Sequence, residues 1–166
     1  MNKFDKIRKI YLHYGSRHQL KKLSEETFEL FEAMENYNSS RSTQNLTAIA
    51  EEIADCNVVI MQFMTQFGLD KFEGMSQMVS ARMESMRKIG FDKYSAQMLY
   101  RYFVDFAVQQ LAEINGDESG WLEFTLIGYA ATIGLIQIEL QIDSDIIFSV
   151  MDKKIDRQLE RMKKGE

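Results

Sequence analysis

Residues 49–67 read IAEEIADCNVVIMQFMTQF. Within this stretch Val58-Val59-Ile60 favours a strand locally, because β-branched side chains suit a pleated surface. The surrounding positions argue for a helix. Ile49, Ile53, Cys56, Val59, Ile60, Phe63 and Phe67 recur at steps that share one helical face. The stretch therefore predicts one long helix, ended by Gly68. At about 100° per residue, Glu52 lies about 20° and Asp55 about 40° from Val59 on that helix. Both acids sit on or beside the packed face, where charged side chains are seldom found unless paired or bound to a cation.

The preceding segment repeats the arrangement. Residues 17–37 carry Leu20, Leu23, Thr27, Leu30, Phe31 and Met34 at helical spacing, with EETFE at residues 25–29 among them. Glu26 flanks the apolar stripe, and Glu29 is its near neighbour three residues on. The polar residues 38–45 form a connecting loop, with Asn45 or Thr47 as the cap of the next helix. If the two helices are antiparallel neighbours, Glu26, Glu29, Glu52 and Asp55 converge. Crowded carboxylates raise one another's pKa, as burial does, and a divalent cation reverses that balance. Oxygen-only ligands point to Mg²⁺, or to Mn²⁺. An EExxE pattern also occurs as plain surface charge, so spacing alone leaves a metal site and a solvated acidic face both open.

The remaining segments are helical as well. The pattern predicts a short helix over 3–13 with a turn at Gly15, and further helices over 75–88, 95–114, 121–141 and 145–163. Proline, the strongest helix breaker, is absent. The fold expected is an all-α helical bundle. Its halves, 1–90 and 91–166, echo each other: Phe4-Asp5-Lys6 recurs as Phe91-Asp92-Lys93, and QLKKLSEE at 19–26 resembles VQQLAEI at 108–114. This fits a duplicated unit forming a pseudo-dimer around one composite site, with the second half degenerate. Chance likeness of amphipathic helices and one continuous domain are the other readings. On the duplication reading the first half keeps the acids, and the second supplies cations at Lys154 and Arg157.

The 166 residues, 45% hydrophobic and 27% charged, have a folding composition. A net charge of -5 argues against a broad nucleic-acid surface. The single cysteine, Cys56, forms no internal disulfide, which fits a cytoplasmic setting. The start MNKFDKIRKIY is too polar for a signal peptide, and the apolar patch 126–140 is interrupted by Gln137 and Glu139, so no membrane partner is expected. There is no GxxxxGK phosphate loop and no Glu-x-x-His pair.

The combined acidic pattern, EExxE followed by a gap and ExxD, resembles that of the MazG-like all-alpha nucleoside triphosphate pyrophosphohydrolases. It falls on Glu25, Glu26, Glu29, Glu52 and Asp55. The lead-in through HQLKKLSEETFELFEAM, the run EEIADCNVVIMQF and the ending KKIDRQLERMKKG look like the small phage and bacterial branch. The likeness covers about residues 7 to 70 and, more weakly, 145 to 165. It implies Mg²⁺ held by Glu26, Glu29, Glu52 and Asp55, with Glu25 helping to hold a nucleophilic water or a ligand. It implies hydrolysis of a nucleoside triphosphate to the monophosphate and pyrophosphate, by a homodimer or higher homo-oligomer. Lys22, Lys154 and Arg157 are candidates for the substrate phosphates, with Lys21 and Arg41 as lesser ones. A helical interaction protein that has lost catalysis and a metal-dependent nucleotide sensor are the alternatives. His13 and His18 read as exposed or capping residues, Cys56 as a buried hydrophobe, Trp121 as packing for a helix end, and Arg161 as a partner of the helix dipole. Met75, Met78 and Met86 are candidates for an oligomer face.

Overall fold

A computed structural model describes residues 1–68, 72–91, 95–117 and 121–165. Six helices make an all-α bundle, with no strand among the described residues: α1 (Lys3–Ser39), α2 (Thr43–Met64), α3 (Phe72–Lys88), α4 (Ser95–Ile114), α5 (Leu122–Glu139) and α6 (Ser144–Lys164). Val58, Val59 and Ile60 lie inside α2, so the long apolar period prevails over local strand preference. A 3-10 turn at Thr65–Phe67 follows α2, and Gly68 ends it in the left-handed region at φ 66°. The echoed residues Asp92 and Lys93, and part of the 115–120 turn, lie outside the described residues.

The predicted break at Gly15 is a kink inside α1. Gly15 takes φ 76° and ψ 168°, which its missing side chain permits. The kink is braced from α2's end: Ser16 Oγ and Tyr11 Oη are 2.7 Å apart, and Tyr11 donates to Gln66 Oε1 at 2.8 Å. The α2 cap is Ser42, whose side chain accepts from Asn45 N–H at 3.1 Å, so neither Asn45 nor Thr47 serves. Asn45 closes the loop instead, its amide donating to the carbonyls of Ser40 and Asn36 at 2.7 and 3.2 Å.

The α1–α2 pair is the most extensive contact, α6 lies against both, and α4 and α5 pair beside them. Ion pairs of 2.6 Å from Lys3 to Asp152 and from Lys6 to Asp156 fix α6 to the first arm of α1. Buried residues from all six helices form one hydrophobic cluster. The α5 helix is apolar nearly all round because it is enclosed: only Glu123, Phe124, Gly134, Gln137, Ile138 and Glu139 escape full burial. It is long and apolar enough to cross a membrane by length and composition, a test that a buried core helix also passes, and 67% of it is buried here. Met86 is fully buried and so unavailable to an oligomer face, whereas Met78 is exposed; the side chain of Met75 lies outside the described residues.

Close approach of α5 to α4 needs Gly128. A Cβ there would stand 2.3 Å from the Tyr102 ring, which is itself held by Arg82 through a hydrogen bond to its hydroxyl. Gly128→Ala should therefore destabilise the protein by about 1–3 kcal/mol, overriding the better helix propensity of alanine. Gly134→Ala meets only the flexible Met83 side chain and should cost less, a ranking that urea unfolding of both variants measures.

Candidate metal centre

Glu26 comes from the middle of α1, and Glu52 and Asp55 from successive turns of α2. The α1–α2 packing brings one carboxylate oxygen from each within 4.8 Å of the others. Glu26 is 3% exposed, unusual for an ionisable side chain. A brace lies just beneath. Tyr129 Oη on α5 is 2.7 Å from Thr27 Oγ1 and 3.5 Å from Cys56 Sγ, the residues adjoining Glu26 and Asp55. Thr27 also donates to the Leu23 carbonyl at 2.6 Å. One phenol thus ties together the two helices that carry the acids. Burial pushes the Cys56 thiol up to about 12, so it is a small core residue and not a nucleophile.

A cleft of about 180 Å³ opens over the cluster. Glu26, Glu29 and Asp55 line one side, with Val58 and Val59. Lys154, Arg157, Gln158 and Arg161 line the other, at spacings that share one face of α6, and Lys22 completes it. Lys154 is ion-paired with Asp55, and Lys22 with Glu26. Among the three clustered acids, Glu26 and Asp55 each have a direct ammonium partner, and no ion pair to Glu52 is seen among the described residues. Glu26 and Glu52 are raised above the usual carboxylate range, first by burial, with Lys22 and Lys154 respectively pulling the other way. Burial lowers Lys154, against the attraction of Glu52 and Glu26. Lys22 is raised: its own burial opposes this, but the combined pull of Glu26 and Glu25 prevails.

Two atoms bear on whether a cation fits. Oε2 of Glu26 and Oε2 of Glu52 are buried with no hydrogen-bond partner. Such oxygens are unfavourable unless something positive or hydrogen-bearing meets them. Clustered hard oxygen donors with open valence suit Mg²⁺ or Mn²⁺. Glu26, Glu52 and Asp55 therefore form a cluster that can hold a divalent cation.

The other expected site residues are placed differently. Glu29 is exposed and lines the cleft but falls outside the three-oxygen group. Glu25 turns to Lys22 at 3.5 Å and Lys21 at 3.8 Å. Arg41 is exposed in the α1–α2 loop and does not line the cleft. Arg161, expected only to balance the helix dipole, lines the cleft. Trp121 takes the N-cap position of α5 and meets Phe124 of its first turn edge-on, while staying 67% exposed. Sequence reasoning passed over Tyr129, Gln158 and Gln19. Gln19 carried a usable signal, since it shares the stripe of Leu23, Glu26 and Leu30 at i+4, i+7 and i+11.

Protons compete with a cation for carboxylates, and the raised pKa of Glu26 and Glu52 carries that competition to higher pH than for ordinary acids. The melting temperature gained on adding Mg²⁺ should therefore be largest near about pH 8 and shrink as pH falls towards about 5. In chelator, Glu52→Gln removes a crowded charge and should leave stability unchanged or raise it by about 1 kcal/mol, while abolishing the Mg²⁺-dependent gain. Differential scanning fluorimetry measures both. No family model, curated protein or solved structure matches this chain.

Proposed function

We propose that the protein hydrolyses a nucleoside triphosphate between its α and β phosphates, with a divalent cation as cofactor, releasing the monophosphate and pyrophosphate. The observation that carries this reading is a three-carboxylate cluster, two of whose members, Glu26 and Asp55, line one cleft with a row of cations on α6. A polyphosphate chain needs both: carboxylates to hold its metal partner and cations to hold its oxygens. The MazG-like acidic pattern at Glu25, Glu26, Glu29, Glu52 and Asp55 supports the same reaction class.

Glu26, Glu52 and Asp55 would hold the metal, with Glu29 at the cleft mouth as a further ligand. When bound, Mg²⁺ neutralises phosphate charge and lowers the pKa of a coordinated water. Lys154, Arg157 and Lys22 orient the phosphate oxygens, and Lys154 leaves Asp55 to do so. Glu25, exposed to solvent, accepts the proton of the attacking water. Val58 and Val59 supply the apolar part of the cleft lining beside the acids.

One observation favours a second reading. Lys154 already reaches Asp55 and Lys22 already reaches Glu26, so the cluster can be partly neutralised without any metal. A protein that keeps this cluster for structure, or to sense nucleotide without turnover, would show no hydrolysis.

Pyrophosphate release should be measured across ribo- and deoxyribonucleoside triphosphates with Mg²⁺. At least one should be turned over, and Glu52→Gln should lower that rate at least about 100-fold, beyond the usual effect of losing an outer partner of a ligand. No turnover of any triphosphate would favour the sensor or structural reading. Full activity in Glu52→Gln would place the chemistry elsewhere.

A further inference from the structure

A second chamber, of about 310 Å³, opens beside the carboxylate cleft and is lined by Tyr14, His18, Gln19, Lys22, Gln158 and Arg161. Lys22, Gln158 and Arg161 line both spaces, so the two form one trough. Its ends differ in chemistry. All the acids lie at the first end. At the second, the Tyr14 and His18 rings stack with centroids 4.7 Å apart and planes 19° from parallel. Gln19 stands with them, 2% exposed, and its Oε1 has no hydrogen-bond partner. A buried carboxamide oxygen left unpaired is unfavourable, and a ligand N–H would satisfy it.

The joint between the two ends is also built. Gln62, fully buried on α2, donates from Nε2 to Gln158 Oε1 at 2.9 Å. That contact occupies the Gln158 oxygen and leaves its amide hydrogens for the trough. The carboxamide stands between the end that carries the acids and the end that carries the Tyr14–His18 stack.

We infer that the Tyr14–His18–Gln19 chamber receives a nucleobase, a planar heterocycle bearing N–H donors, and that Gln19 is the residue that reads it. This rests on the triphosphate reading given above. The aromatic pair offers the base an apolar, polarisable wall. The Gln19 carboxamide accepts from a ring N–H or exocyclic amino group. Gln158 donates to the sugar or the α-phosphate that joins the two ends of the ligand. A carboxamide buried in this way discriminates by hydrogen bonding, which rejects a mismatched partner far better than apolar contact does.

The test compares two probes by calorimetry in Mg²⁺: α,β-imido nucleoside triphosphates, which resist the cleavage, and inorganic tripolyphosphate, which has no base. The wild type should bind at least one imido nucleotide more tightly than tripolyphosphate. Gln19→Met should weaken that nucleotide about tenfold or more while changing tripolyphosphate less than twofold. His18 is exposed, so His18→Ala keeps the fold, and it should weaken the nucleotide about tenfold with the same indifference to tripolyphosphate. Tripolyphosphate that binds as tightly as every nucleotide overturns the assignment. So do variants that weaken both probes equally or neither, and in each of these cases the phosphate reading stands. Failure of the wild type to bind either probe overturns this assignment together with the reading beneath it.

Discussion

Three carboxylates within 4.8 Å of one another, at an interface that packs leucines and isoleucines, set the terms for the rest of the bundle. Like charges at that separation repel, and burial makes Glu26 and Glu52 costlier to ionise. Helices α1 and α2 therefore do not hold this arrangement on their own. Tyr129 reaches from α5 to the residues adjoining Glu26 and Asp55 and keeps both backbones in place. Helix α6 brings Lys154 over the cluster, and the surface ion pairs of Lys3 and Lys6 keep α6 aligned on α1. Each of the four helices around the cluster has a task traceable to those acids.

The compensation is incomplete, and its incompleteness gives the cleft its chemistry. Lys22 and Lys154 each take one carboxylate, yet one oxygen of Glu26 and one of Glu52 remain unpartnered. A structural salt-bridge cluster gains by satisfying such atoms, since a half-satisfied network is worse than an apolar core. A cation site gains by leaving them open. Lys154 neutralises Asp55 in this structure, and under the proposed reaction it is the group that would pass from Asp55 to a phosphate oxygen.

The helices were legible in the sequence because apolar residues recur at 3.6 with no proline to interrupt them. The convergence of Glu26, Glu52 and Asp55 was legible for the same reason, since their phase put them beside Leu23 and Val59. Positions decided by one residue were harder. Ser42 and Asn45 both suit a cap, and the loop geometry decided between them. Glu25 and Glu29 share the motif with Glu26, but the helix turns them 100° away and 60° short of a full turn, onto more exposed faces. Gln158 looks like an ordinary surface amide until the packing of α6 on α2 sets it against Gln62, whereas Gln19 already shared the stripe of Leu23 and Glu26. The methionines of α3 at 75, 78, 83 and 86 fall within about 140° of one helical face, so the sequence alone did not say that Met86 packs in the core while Met78 stays exposed.

Mn²⁺ binding followed by electron paramagnetic resonance tests the central claim most directly, because free and bound Mn²⁺ are counted without any assay of turnover. The wild type should take up Mn²⁺ at a site that Mg²⁺ competes for. The double variant Glu52→Gln, Asp55→Asn should lose it while melting cooperatively. Uptake that is absent in the wild type, or unchanged in the double variant, would show that these carboxylates are held by lysines alone.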